Sequence, residues 1–142
     1  MIERPRTFIL KEITNGSEGS LSAIEGGMDI PFEIQRVFMV YDVEPGRVRG
    51  AHAHYAMQEV VACLNGTITV ELDVPGVYSE RITLDRPNTA LYIPPTAWRN
   101  IQFGPGAVLM ALASTHYDEA DYFRDFQNYE TYIQTLHRQG EP

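Results

Sequence analysis

Two histidines and a glutamate carry the most specific chemistry in this chain. His52 and His54 are separated by one alanine, and Glu59 follows within Gly46-Arg-Val-Arg-Gly-Ala-His-Ala-His-Tyr-Ala-Met-Gln-Glu59, closed by Gly66. On a strand, side chains two apart share a face, so the imidazoles lie about 6.6–7 Å apart along the chain. A turn at Tyr55–Met57 can return Glu59 to that face. Two imidazoles and a carboxylate can bind a divalent cation. They can equally move protons, because an imidazole titrating near 6.5 takes and returns one near neutrality. A hydrogen-bonded pair of interior histidines is the reading without chemistry. Arg36, Arg47 and Arg49 lead into the pair. The planar guanidinium fork suits phosphate oxygens, and the chain holds only 11 Lys and Arg in total. Phe38, Tyr41, Tyr92 and Trp98 are the aromatics nearest these positions, able to stack a nucleobase or a sugar face or simply to fill the core.

The elements that must position these groups read as short strands. Thr7–Ile13 and Leu21–Glu25 are expected strands, and Gln35–Val43 is a longer apolar one. Val60–Leu64 runs into Asn65-Gly66, a hairpin signal, and then into Thr67–Val74, with Ile68, Val70 and Leu72 on one face. Pro75-Gly76 turns the chain into Arg81–Leu84. Thr89–Ile93, Trp98–Phe103 and Val108–Ala113 follow, each bounded by Pro or Gly. Turn signals recurring about every eight to twelve residues predict a sandwich or barrel, here of about ten strands. The tail differs. Asp118–Arg124 and Tyr129–Leu136 read as one or two short helices, with Tyr129, Ile133 and Leu136 at packing spacing. Residues 138–142 are expected to fray. The expectation is a single all-β domain over residues 1–142 with a short C-terminal helical segment.

Composition narrows the partners. A net charge of −8 over 142 residues argues against a nucleic-acid surface or an anionic membrane. Local arginines can still hold an anionic ligand. The single cysteine, Cys63, sits in an apolar strand and reads as a small buried hydrophobe. The N-terminus lacks a signal-peptide apolar core and no 18-residue apolar run occurs, so a cytoplasmic location is expected.

The spacing G-x5-H-x-H-x4-E-x6-G resembles the first signature of the cupin superfamily, which implies a jelly-roll barrel. Cupin metal sites draw a further histidine from a second signature, P-x-G-x-x-H. The matching stretch here is Pro94-Pro95-Thr96-Ala97-Trp98-Arg99, with Arg99 at the ligand position. A guanidinium cannot ligate a cation and repels one, and Arg99 is expected to pair with Glu59 in the cavity. No metal and no cofactor are therefore expected, although two His and a Glu remain able to hold an ion with waters.

Longer motifs resemble a narrower family. These are Gly19–Glu25, Ile30–Val37, Arg49-Gly-Ala-His-Ala-His54, Cys63-Leu-Asn-Gly66, Leu91–Trp98 and Tyr117-Asp-Glu-Ala-Asp-Tyr-Phe-Arg124. They are similar to the nucleotide-sugar 3,4-ketoisomerases, the WxcM-like cupins acting on dTDP-4-keto-6-deoxyglucose. The resemblance implies His52 and His54 as the active-site pair, with Tyr41 and Arg99 beside them. It implies Arg36 and Arg49 on the pyrophosphate, and Glu18, Glu59 and Trp98 as further substrate contacts. It also implies a homodimer with Thr7–Ile13 exchanged between subunits. Arg99 stands where gluco-forming members tend to have Arg and galacto-forming ones His. A metal-dependent cupin enzyme and a non-catalytic sugar-nucleotide-binding cupin are the competing readings. A 3,5-epimerase would pair a His with an Asp and a Tyr, a set the sequence does not reveal.

Overall fold

A computed structural model of the chain describes residues 2–140. In chain order its strands are β1 (Arg6–Ile9), β2 (Glu12–Thr14), β3 (Ser20–Ser22), β4 (Arg36–Val40), β5 (Val48–His54), β6 (Glu59–Asn65), β7 (Ile68–Val74), β8 (Tyr78–Leu84), β9 (Thr89–Ile93), β10 (Trp98–Phe103), β11 (Val108–Ala113) and β12 (Tyr122–Phe123). One helix, α1 (Phe126–Gly140), follows. Two five-stranded antiparallel sheets form, ordered β1-β9-β6-β11-β4 and β12-β5-β10-β7-β8, with β2 and β3 as a separate hairpin. The sheets face each other as a jelly roll and are not joined into a closed barrel.

Alternation sets the core. Ile68, Val70, Leu72 and Val74 of β7 are fully buried between the sheets, while Thr69, Glu71 and Asp73 point the other way. β6 breaks that rhythm because both its faces are covered. Val61 and Cys63 face the inter-sheet core. Val60 packs behind the sheet with Leu10, Ile30, Phe32, Ala90, Tyr92 and Leu112. A strand buried on two sides reads as a continuous apolar run, as Val60–Leu64 does.

Several boundaries differ from expectation. Thr7–Ile13 is not one strand. The chain breaks at Leu10, whose N–H donates to Asn88 O (2.7 Å), so β1 stays on β9 and β2 leaves to pair with β3. Leu21–Glu25 shortens to β3, and Gln35–Val43 to β4 before Asp42 at φ 57°. The Asn65-Gly66 turn closes no hairpin: β6 pairs with β9 and β11, whereas β7 pairs with β8 and β10. The turn instead carries the chain from one sheet to the other. Asn65 Nδ2 donates to Gly106 O (2.9 Å), and a Cβ on Gly66 would stand 3.0 Å from Ala107 Cα. Gly66 also has φ +74°, which favours glycine. Pro75-Gly76 does turn a hairpin, between β7 and β8.

The tail is the other correction. Glu119–Asp121 is a single 3-10 turn and Tyr122–Phe123 a strand, so Asp118–Arg124 is not a helix. Helix α1 starts where Asp125 Oδ1 accepts the Gln127 and Asn128 N–H groups. Tyr129 and Ile133 are buried, and the Tyr129 hydroxyl donates to Thr96 O (2.6 Å). Arg138–Gly140 belong to the last turn of α1 rather than a frayed end, and residues 141 and 142 lie outside the described residues.

Candidate active site

At one end of the jelly roll a cavity of about 210 Å³ opens between the sheets. Its floor is apolar: Phe38 and Val40 of β4, Ile101 and Phe103 of β10, and Leu109 of β11. Its polar groups are His52 and His54 of β5, Glu59 of β6, Arg99 of β10, and Arg49, Tyr122 and Arg124 around the rim. An apolar pocket with a few convergent polar groups is the usual form of a small-molecule site. A wider groove of about 780 Å³ lies between the N-terminal segment and the end of α1, lined by Glu3 and by His137, whose ring rests on Pro75 O.

The histidines owe their aim to a local irregularity. β5 pairs with β10 through Arg99↔His52, and the register shifts between Arg99 and Asn100, opposite Gly50. Gly50 has φ +97°, and a Cβ there would lie 2.9 Å from Arg99 O. Ala51 follows at φ 54°. A bulge of this kind re-aims the side chains after it. Thr96 N–H then donates to His54 O (2.7 Å), tying the end of β5 to the β9–β10 turn. The two rings end edge to face, with centroids 4.9 Å apart.

Charge and burial set their protonation. Burial first, then the Arg99 guanidinium, lowers the His52 pKa to about 4. The same causes in the same order lower that of His54 further. Both imidazoles are neutral at neutral pH, the state in which a ring nitrogen can accept a proton. Arg99 and Glu59 are 1% and 4% exposed, and Arg99 Nη1 donates to Glu59 Oε1 (3.1 Å) while Nη2 donates to Ala97 O (3.0 Å). Burial pushes the Glu59 carboxyl up, and Arg99 opposes it. The expected Glu59–Arg99 pair is thus present. Among the described residues no three His, Cys, Asp or Glu side chains converge as metal ligands.

Arg36 stands beside this cavity. Its Nη2 contacts Met57 Sδ (3.1 Å), its guanidinium lies over Phe38 and Tyr117, and its charge reaches His54. Arg49 lines the rim. Three expected contacts lie elsewhere in this chain. Glu18 is exposed in the turn Gly16–Glu18, accepting from Asn15 Nδ2. Tyr41 is 62% exposed beyond the end of β4. Trp98 adjoins Arg99 on β10 and so takes the opposite face, packing under α1 against Phe126 and Tyr129. Tyr92 is also outside, donating to Gln58 Oε1.

Sequence reasoning missed the strand beside the histidines, β12, which pairs with β5 in the same sheet. Tyr122 lies 4.2 Å from the His54 ring and 5.0 Å from His52, centroid to centroid. Arg124 covers Tyr122 at 4.3 Å and is forked onto Glu119, which also accepts from the Tyr117 hydroxyl. Asp121 Oδ2 lies 3.3 Å from His54 Nδ1. A His, an Asp and a Tyr therefore do meet here, although the sequence reading found no such set. In sequence Asp118–Arg124 reads as helical, although Tyr117–Arg124 is also one of the motifs that carry the family resemblance.

A jelly roll whose cavity holds two neutral histidines backed by buried and rim guanidiniums fits an enzyme of the cupin type built for acid–base chemistry on an anionic ligand. The chain belongs to the family described as FdtA: WxcM-like, C-terminal, whose model matches residues 5–134. It is 42% identical over 126 residues to TDP-4-oxo-6-deoxy-alpha-D-glucose-3,4-oxoisomerase of Aneurinibacillus thermoaerophilus, covering 88% of this chain and 90% of that one. The crystal structure of QdtA, a sugar 3,4-ketoisomerase from Thermoanaerobacterium thermosaccharolyticum in complex with TDP, superimposes with a TM-score of 0.90 at 36% identity, covering 96% and 98% of the two chains. The WlaRB TDP-quinovose 3,4-ketoisomerase of Campylobacter jejuni gives 0.85 at 37% identity, covering 92% and 99%.

Proposed function

We propose that this isomerase converts dTDP-4-keto-6-deoxyglucose to a dTDP-3-keto-6-deoxyhexose in deoxysugar biosynthesis. The observation that carries the reading is the neutral His52–His54 pair sharing one cavity with the Arg99 guanidinium. The C4 ketone acidifies the C3 proton. His52 takes that proton, giving an enediolate across C3 and C4. The C3 hydroxyl proton passes by way of His54 to the C4 oxygen, and a proton returns to C4. The ketone has then moved to C3, with hydrogen relocated and none removed, so the balance needs no redox partner. Arg99 supplies positive charge to the enediolate in a site shielded from water. Arg36 and Arg49 anchor the diphosphate, and Arg124 stands on the same rim. That remote binding holds C3 against the base.

A homodimer completes the reading. Val37 and Met39 of edge strand β4, with Tyr41 just beyond it, are more than half exposed, as are Ile13 and Leu21 on the β2–β3 hairpin. Apolar side chains along an open edge favour a second copy of the chain. β1 is itself an edge strand on β9, so exchanging it between copies would keep the same register. Among the described residues no helix is long and apolar enough to cross a membrane, in keeping with a cytoplasmic enzyme.

Proton NMR of the purified protein with dTDP-4-keto-6-deoxyglucose in D2O tests the reaction. A 3-keto product carrying deuterium at C4 is expected, and the C4 configuration in that spectrum tests whether Arg99 accompanies a gluco product. A substrate spectrum unchanged after prolonged incubation would overturn the proposal.

A further inference from the structure

His54 does not act alone in its wall. It is 1% exposed, and no protein group hydrogen-bonds its Nε2 among the described residues. Its Nδ1 stands 3.3 Å from Asp121 Oδ2, off the line of a full hydrogen bond; catalytic contacts of this length commonly tighten in the Michaelis complex. Asp121 is fixed by the chain it faces. Its Oδ1 accepts the Ala56 N–H (2.9 Å), its Oδ2 the Met57 N–H (3.2 Å), and its carbonyl the Tyr55 N–H (2.9 Å). Its neighbour Tyr122 pairs in register with His54. The carboxylate is thus held by the segment directly after His54 and has a lone pair left for the ring.

From this geometry we infer that Asp121 is a positioning residue, holding neutral His54 with its proton on Nδ1 and its bare Nε2 toward the sugar. A carboxylate beside Nδ1 accepts a proton and cannot donate one, so it selects that tautomer. The Nε2 lone pair can then take the C3 hydroxyl proton and return it to the C4 oxygen, while the carboxylate steadies the transient imidazolium. This last step rests on the ketoisomerase reading; the tautomer does not. The other charged or titratable groups around the ring are His52 on the same strand, Tyr122 on β12, Arg99 on β10, Arg36 on β4, Arg124 after β12 and Glu59 on β6. Of these the arginines oppose an imidazolium and Glu59 is engaged by Arg99, so Asp121 is the carboxylate in contact with the ring.

Long-range 15N–1H correlation spectra of uniformly labelled wild-type protein at neutral pH assign the tautomer without any variant. We expect His54 protonated at Nδ1; protonation at Nε2 overturns the inference. Asp121→Asn keeps the side chain's shape and can still accept a backbone N–H, but its amide nitrogen cannot accept from Nδ1. We expect kcat to fall on the order of 100-fold with KM within about threefold, and the tautomer to shift. A kcat within twofold of wild type overturns the inference. So does a loss of kcat with the tautomer unchanged, which would assign Asp121 to the loop alone. Wild-type protein with the Nδ1–H tautomer but no turnover would instead sink the ketoisomerase reading and leave the positioning role standing.

Discussion

The two walls of the cavity are built in different ways. His52 and His54 sit on a seven-residue strand flanked by β10 on one side and β12 on the other. Their aim comes from backbone that other strands enforce. The wall beside that strand, Asp121 to Arg124, is the end of a 3-10 turn and a two-residue edge strand paired with β5. It is held by the Asp121 side chain and by Phe123, which stacks on Tyr55 at 3.7 Å and packs against Tyr129 and Tyr132. β5 is held by pairing along its length on β10, whereas β12 pairs with β5 only at Tyr122 and Phe123 and otherwise relies on a few side chains. The long strand β5 therefore carries the chemistry, and the short edge strand beside it can adapt to the substrate and fail separately from the fold.

The sharpest test of that division is His52→Asn. Asparagine keeps a polar group in a half-buried position but cannot take a carbon-bound proton. We expect kcat to drop about 1000-fold, within the range for loss of a general base. The melting temperature should change little, because β5 keeps its pairing. A variant retaining a tenth of wild-type activity would remove His52 from the base role.

Next in size is Arg99→Met. Removing one partner of a buried ion pair leaves Glu59 uncompensated and costs about 3–5 kcal/mol. Denaturant unfolding should show the loss, and the double variant Arg99→Met/Glu59→Leu should recover most of it. Equal stabilities of the single and double variants would mean that the carboxyl is already protonated in the fold. Phe123→Ala probes the other wall. Truncating this buried ring costs about 3 kcal/mol, and it should raise KM and lower kcat together while β5 keeps its amide-exchange protection. Loss of protection along β5 would show that the two walls fold as one unit.

The long strand β5 was legible in the sequence and the short strand β12 beside it was not. Glycines, histidines and a glutamate at fixed spacing mark β5 and β6, because a bulge needs Gly50 and a shared face needs residues two apart. Arg99 and its pairing with Glu59 were legible for the same reason. The strands of the core followed from alternation and turn residues. Asn65-Gly66 misled, since a left-handed turn serves a crossing between sheets as well as a hairpin. Asp121, Tyr122 and Arg124 were hidden because their contacts are long-range. A two-residue strand has no period to read, and the acidic and aromatic run around it looks like the first turn of the helix that follows. Tyr41, Glu18 and Trp98 were placed by resemblance to relatives, and in this chain the end of β4, an exposed turn and strand alternation carry them away from the cavity.

The smallest effect concerns acid stability, and it also separates the walls. His52 titrates near 6.5 in an unfolded chain and near 4 in the fold. Above pH 6.5 both states are neutral at this site and its contribution is fully present. As pH falls from 6.5 toward 4 the unfolded chain binds the proton first, so stability declines through that window. His54, lowered in the same direction, steepens the decline. His52→Asn should flatten the slope by up to one proton, about 1.4 kcal/mol per pH unit at most. Phe123→Ala, which leaves both histidines on a paired strand, should keep the wild-type slope. Unfolding free energies at pH 7, 6 and 5 for the three proteins decide it. If Phe123→Ala flattens the slope as well, burial of the histidines depends on the short strand beside them, and the division between a self-sufficient β5 and an adaptable β12 does not hold.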